Sequence, residues 1–199
     1  MAADPRPDDP RPALPAPAAG DGPYRICLVC LGNICRSPMA EVILRDEVAQ
    51  AGLAGRVTVE SAGTGDWHIG GPMDPRASAD LASRGYDGSA HIARQISADW
   101  LGAYDLFVAM DARNLANLRK MAASHRTASR PAPRRDTARP DDGRIRLMRS
   151  FDPAAAPGAE VPDPYNGGPA AFSETFTLVR AAARGLTAQL SGLLTPDNP

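Results

Sequence analysis

The segment CLVCLGNICRSP, residues 27–38, constrains this chain more than any other stretch. It closes a short, apolar, β-favouring run, YRICLVC (24–30), and passes through a glycine-containing loop straight into a helix start. Ser37 suits a helix N-cap and Pro38 the first helical position, while Ala40, Ile43, Leu44 and Val48 fall on one face. Glu41 stands one residue too late for a capping box, so the start signal is good without being complete.

The rest of the chain repeats this alternation. RVTVESAG (56–63) alternates as a strand, PRASADLASRGY (75–86) reads as a short helix, and YDLFVAM (104–110) is another apolar strand. DARNLANLRKMAAS follows with an acidic cap at Asp111 and with Leu115 and Leu118 at helical spacing; RIRLMRSF (144–151) supplies a fourth strand. Phe172, Phe176, Val179, Ala183, Leu186 and Leu190 mark one face of a long final helix, with Gly185 as its weak point. Strands alternating with helices predict a three-layer α/β domain, a four-stranded parallel sheet with helices on both faces and its ligand site at the carboxyl ends of the strands. The loop after residue 30 lies at such an end.

A chain of 199 residues that is 43% hydrophobic can bury one sizeable core, and residues 24–194 are expected to form that domain. Residues 1–23, rich in Pro, Ala and Asp, read as a disordered or extended tail. Residues 126–143, broken by Pro131, Pro133 and Pro140, read as a surface insertion, and 195–199 as a short C-terminal tail. Lys and Arg total 22 against 23 Asp and Glu, so nothing in the charge favours nucleic-acid or membrane binding, and any attraction for anions must be local. The N-terminus is acidic and proline-rich where a secretory signal is basic and then apolar, and no run approaches the roughly 18 apolar residues of a membrane span. Three cysteines crowded into one segment do not form a secreted disulfide framework; a soluble protein of the reducing cytoplasm is expected.

From Cys30 the loop reads Cys-x5-Arg-Ser through Leu31, Gly32, Asn33, Ile34, Cys35, Arg36 and Ser37. Inward-turned loop amides, added to the unsatisfied donors of a helix start, make a cradle for a tetrahedral anion. Gly32 permits torsions that strain other residues, and Asn33 tolerates a left-handed backbone. Cys30 at the base of such a cradle is favoured as the thiolate, and the planar fork of Arg36 can bind two equatorial oxygens of a transferring phosphoryl group. A phosphoenzyme mechanism also needs a proton donor for the departing oxygen. EVPDPYNGG places Asp163 between two prolines that stiffen its loop, and general-acid work of this kind contributes about 10²- to 10⁴-fold.

Taken together, these residues resemble the low-molecular-weight protein tyrosine phosphatase family over roughly residues 24–192, apart from 126–143. VCLGNICRSPMAE is similar to that family's signature and VPDPY to its acid loop. The resemblance implies Cys30 as nucleophile, Arg36 as phosphate clamp, Ser37 as a hydroxyl that stabilises the thiolate and Asp163 as general acid. It further implies that Ser61 supports the loop through Asn33, that His91 joins the same network, that Asp111 lies near the site, and that Trp67 and Tyr165 line the substrate groove. For Cys35 it implies a reversible disulfide with Cys30 that protects the nucleophile. The expected partner is a phosphotyrosine-containing protein, with no metal, no cofactor, no nucleic acid and no membrane, and the chain is expected to act as a monomer. Asn166 stands where the family often has a second tyrosine.

Four other readings are open at this stage. Cys27, Cys30 and Cys35 could bind zinc only if His68, His91 or His125 completed the four ligands of a closed site. Arsenate reductases of the same fold pass oxidation to two further cysteines, and none follows Cys35. A phosphotyrosine-binding module would keep the cradle and discard turnover. Phosphatases acting on phosphoarginine tend to carry Thr where Ile34 stands, which favours an aromatic phosphoester here.

Overall fold

Tyr24–Cys30 form β1, the strand on which the rest is assembled. The computed structural model describes residues 13–17, 22–128 and 143–194. In chain order the further elements are α1 (Arg36–Gln50), β2 (Val57–Gly63), α2 (Pro75–Ala82), β3 (Leu106–Ala109), α3 (Ala112–Ala128), β4 (Ile145–Leu147) and α4 (Pro169–Leu194), with 3-10 turns at Ala98–Gly102 and Met148–Phe151. The four strands form one parallel sheet in the order β2-β1-β3-β4, the expected α/β architecture. Register runs from Tyr24↔Val57 to Cys30↔Gly63 on one side of β1 and from Ile26↔Leu106 to Val29↔Ala109 on the other. The chain leaves β1 for β2 on one side and then crosses to β3 on the other, so a crevice opens at the carboxyl end of β1.

Strand alternation divides β1 between two cores. Ile26, Leu28 and Cys30 join α1, α2 and α4, where Met39, Ile43, Leu44, Phe172, Val179 and Leu186 are all 0% exposed. Cys27 and Val29 face the other layer with Phe107, Leu118 and Ile145. The apolar faces expected for α1 and α4 are the buried ones. No helix among the described residues is long and apolar enough to cross a membrane.

Several boundaries depart from the sequence reading. α2 stops at Ala82 and not at Tyr86, because the chain turns through Gly85 at φ 84°. β4 keeps only three residues; Met148 and Phe151 lie three apart, the spacing that one turn of 3-10 helix brings to a single face, and both side chains enter the core beside α4. α3 runs on to Ala128, into the segment read as an insertion, whose remaining residues to 142 lie outside the described ones, as do 195–199. Gly185 proves to be a packing requirement: a Cβ there would run into the carbonyl oxygen of Phe151, so only a bare backbone lets α4 lie this close to the turn.

Residues 13–17, within the stretch read as a tail, carry no regular secondary structure and are held against the domain. The Tyr24 hydroxyl donates to the Pro15 carbonyl at 3.2 Å, the Arg146 guanidinium donates to the Ala13 carbonyl, and Leu14 is buried in the core that contains Tyr24 and Phe151. Compositional reading misses this because one leucine among prolines and alanines gives no periodic signal. Leu14→Ala should lower stability by about 2 kcal/mol, the lower end for a buried leucine, read as a lower urea midpoint at unchanged slope. An unchanged midpoint would show that this contact contributes nothing.

Candidate active site

The loop that leaves β1 is shaped by what holds its carbonyl groups. The carbonyl of Cys30 accepts from Thr64 N–H (3.0 Å) and that of Leu31 from Gly65 N–H (2.9 Å). Asn33 O accepts from His91 Nε2 (2.7 Å) and Ile34 O from Asp74 N–H (2.8 Å). Each peptide is planar and trans, so a carbonyl tied outward aims the next residue's N–H the opposite way. The amides of Leu31, Gly32, Ile34 and Cys35 are thereby turned toward the centre of the loop. Because Asn33 O is an acceptor, Nε2 of His91 carries the proton.

At the base sits Cys30, 3% exposed, its Sγ 3.0 Å from Ser37 Oγ and accepting from Asn33 N–H at 3.3 Å. Asn33 takes the left-handed conformation, φ 56°, alone among the described non-glycine residues. It is also wholly buried, and every polar atom is used: Nδ2 donates to Ser37 Oγ (2.9 Å) and Ser61 Oγ (2.8 Å), and Oδ1 accepts from Arg94 N–H (2.8 Å). With Asn33 filling an acceptor position on each hydroxyl, Ser61 donates onward to Glu41 Oε2, at 2.5 Å, and Glu41 pairs with Arg45. A chain of hydrogen bonds therefore links the sulfur to a buried carboxylate on α1. Glu41 was legible only as a faulty capping box; the better signal was an acidic residue on the border of an apolar helix face.

The sequence made Ser37 the N-cap, but the helix begins at Arg36 with Cys35 in the cap position. The reason is that the Ser37 hydroxyl turns to Cys30 Sγ, and to Ala62 O at 3.3 Å, and not to a backbone N–H of its own helix. Gly32 has no left-handed torsion; it is small because the His68 ring lies on it, and a Cβ there would come 2.9 Å from His68 Cδ2. His68 enters the site by this contact, which no sequence motif announced.

Arg36 is 3% exposed. One guanidinium nitrogen donates to Asp111 Oδ2 (2.6 Å) and to Val161 O (3.3 Å), the other to Asp163 Oδ2 (2.5 Å). Asp111 serves twice, since its Oδ1 also caps α3 through Asn114 N–H at 2.7 Å. Asp163, nearly half exposed, accepts from Tyr165 N–H (3.2 Å), and its loop is tied to the end of β3 through Val161 N–H and Met110 O (2.8 Å).

These groups enclose a cavity of about 280 Å³. Cys30, Leu31, Gly32, Ile34, Cys35 and Arg36 form its floor, Trp67 and His68 one wall, and Asp163, Tyr165 and Asn166 the other. Trp67 is 71% exposed, a wall and not a core residue. Ser61, His91 and Asp111 stand behind the loop, touching its residues from outside the cavity floor. Burial, with the Asp74 and Cys30 charges behind it, pushes the Cys35 thiol up, so it stays protonated. Cys27 cannot share a metal with Cys30, because it faces the opposite layer of the sheet. Among the described residues no cluster of His, Cys, Asp or Glu suits a metal ion.

Comparison with known proteins gives one answer. Residues 25–193 match the family model for low molecular weight phosphotyrosine protein phosphatase. The chain is 48% identical over 166 residues to the low molecular weight protein-tyrosine-phosphatase of Streptomyces coelicolor, covering 83% of this chain and 92% of that protein. It is 38% identical over 165 residues to low molecular weight protein-tyrosine phosphatase A of Mycobacterium tuberculosis, covering 82% and 90%. The crystal structure of YfkJ from Bacillus subtilis superposes with a TM-score of 0.73 at 34% identity, covering 89% of this chain and all of that one. With motif, sheet order and alignment in agreement, this chain is a member of the low molecular weight protein-tyrosine phosphatase family, a family of hydrolases.

Proposed function

We propose that this protein hydrolyses phosphotyrosine in proteins, and aryl phosphates generally, through a cysteinyl-phosphate intermediate, without metal or cofactor. The observation that supports this most is the set of four outward-tied carbonyls around Cys30, which leaves four amides and the Arg36 fork to receive three phosphoryl oxygens. Cys30 Sγ attacks phosphorus, the bond to the tyrosyl oxygen breaks, and protonated Asp163 gives its proton to that oxygen. Water then attacks the thiophosphate, its proton passes to the Asp163 carboxylate, and the P–S bond breaks to release inorganic phosphate. Ser37 Oγ and Asn33 N–H face the Cys30 sulfur; Ser61, His91 and Asp111 position the loop and Arg36; Trp67, Ile34 and Tyr165 supply apolar walls for an aromatic ring. A reducing cytoplasm suits a catalyst whose nucleophile is a free thiol.

Asp163→Asn tests the acid. Turnover of phenyl phosphate, whose leaving group is poor, should fall by about 10²-fold or more, and that of p-nitrophenyl phosphate by much less. Equal losses on both would remove Asp163 from that role.

Cys35 is assigned the protection of Cys30. Peroxide oxidises the Cys30 thiolate to a sulfenic acid; Cys35 sulfur then attacks it, the S–S bond forms, and the hydroxyl departs with the Cys35 proton as water. In a Cys35→Ala variant, activity lost to peroxide should no longer return on adding a thiol. Full recovery in that variant would refute the assignment.

A further inference from the structure

The turn that carries two of the cavity's wall residues is held from outside the cavity by Arg76, which takes no part in the steps above. Gly167 N–H donates to Pro164 O (2.8 Å), closing a turn with Tyr165 and Asn166 at its tip, next to Asp163 in the chain. A Cβ at position 167 would come 2.6 Å from Ala171 Cβ, so this turn lies directly on the start of α4. Arg76 Nη1 donates to the Gly167 carbonyl at 3.3 Å. Its guanidinium carbon stands 4.8 Å from the centre of the buried Phe172 ring and 5.6 Å from that of Tyr165, within reach of a cation–π contact with both.

The rest of the same guanidinium is fixed on Asp74. Nε donates to Asp74 Oδ1 (3.0 Å) and Nη2 to Asp74 Oδ2 (2.8 Å), a paired contact that suits a planar fork. These bonds hold the Asp74 carboxyl below the usual carboxylate range, so the pair stays charged at neutral pH. Asp74 is buried and also caps α2 by accepting from Arg76 N–H (2.9 Å), while its own N–H donates to Ile34 O, one of the four outward carbonyls of the phosphate loop. One aspartate thus holds the phosphate loop by its main chain and, through Arg76, the turn beside Asp163. Pro162 and Pro164 fix φ on either side of Asp163, so a shift of the turn carries the carboxylate with it. We propose that Arg76 is a positioning residue for proton transfer, a latch tying the turn at 164–167 to the aspartate that supports the phosphate loop, so that Asp163 meets the leaving oxygen at a fixed place. The proposal rests on the reading of Asp163 as general acid.

The test compares Arg76→Ala with the natural full chain; the side chain is 43% exposed, so its truncation leaves the core filled. In the variant kcat/KM for phenyl phosphate should fall by about tenfold and that for p-nitrophenyl phosphate by less than about twofold, because only the poorer leaving group needs the proton. In an Asp163→Asn background the same substitution should cost phenyl phosphate less than about twofold more, since the group it positions is gone. Equal losses on both substrates would make Arg76 a structural residue only, and full additivity with Asp163→Asn would separate it from the acid; either result overturns the latch. Arg76→Lys keeps the charge but has one donor centre for Asp74 and Gly167, and should show the same pattern. Natural activity in that variant would overturn the proposal too. A readout without turnover is the NMR order parameter of the Tyr165 and Gly167 amides, which should drop in Arg76→Ala from about 0.85 to below about 0.6. Unchanged order parameters would show that Arg76 does not hold the turn. Should Asp163→Asn itself lose both substrates equally, the general-acid reading fails, and the order parameters still decide whether the turn is latched.

Discussion

Cys30→Ser should reduce kcat on p-nitrophenyl phosphate by about 10⁵-fold or more while leaving the fold and anion binding in place. The change is one atom in a buried position: the sulfur's own contacts, from Asn33 N–H and with Ser37 Oγ, are ones an oxygen can also make, and the other hydrogen bonds that hold the loop run from Asn33 Nδ2 to Ser37 and Ser61 and from the four outward carbonyls. The cradle therefore survives, and phosphate or vanadate should still bind. On the proposed mechanism what is lost is the nucleophile, because a serine hydroxyl is a far weaker acid than a thiol and the same N–H donors cannot make it an oxyanion at neutral pH. Steady-state turnover with a parallel anion titration separates the two effects. Substantial turnover in the variant would end the covalent mechanism, whatever the family.

Arg36→Lys should cost about 10³-fold in kcat, although the charge is kept. The guanidinium occupies a slot that only a planar fork fills: one nitrogen reaches Asp111 and Val161 O, the other reaches Asp163, and the whole side chain is 3% exposed. A lysine ammonium presents a single donor centre and cannot satisfy both carboxylates while also facing two phosphoryl oxygens. Arg36 thus joins the phosphate loop, the end of β3 and the loop that carries Asp163. The substitution should also loosen Asp163, so that the loss is greater for phenyl phosphate than for p-nitrophenyl phosphate. A variant within tenfold of the natural enzyme would show that charge alone suffices.

The sequence carried the arrangement of this protein wherever a signal is local and periodic. The apolar run of β1, the faces of α1 and α4 and the strand-loop-helix order were legible because side-chain spacing alone decides which face is buried. Cys30, Arg36 and Asp163 were legible because a long motif, a helix start and a distant proline-bounded acid agree. Ser37 was read as a cap because local rules see a serine before a proline, but its hydroxyl is claimed by a sulfur seven residues back. Glu41 was read only as a misplaced capping residue, His68 only as a conceivable metal ligand and Arg94 not at all, since each acts through a partner far along the chain. Gly185 and Leu14 belong with them, one looking like a helix defect and the other like part of a tail, until the Phe151 carbonyl and the core around Tyr24 are in place.

By itself, the order of residues determined a parallel α/β sheet, one anion loop after its first strand, and the chemical kinds of group that loop would need. Only the tertiary structure decided that four carbonyls face outward and that Arg36 meets two aspartates. The division follows from physics: backbone and periodicity preferences act over a few residues, whereas the direction of a peptide dipole or the partner of a buried side chain is set by segments brought together after the sheet has formed.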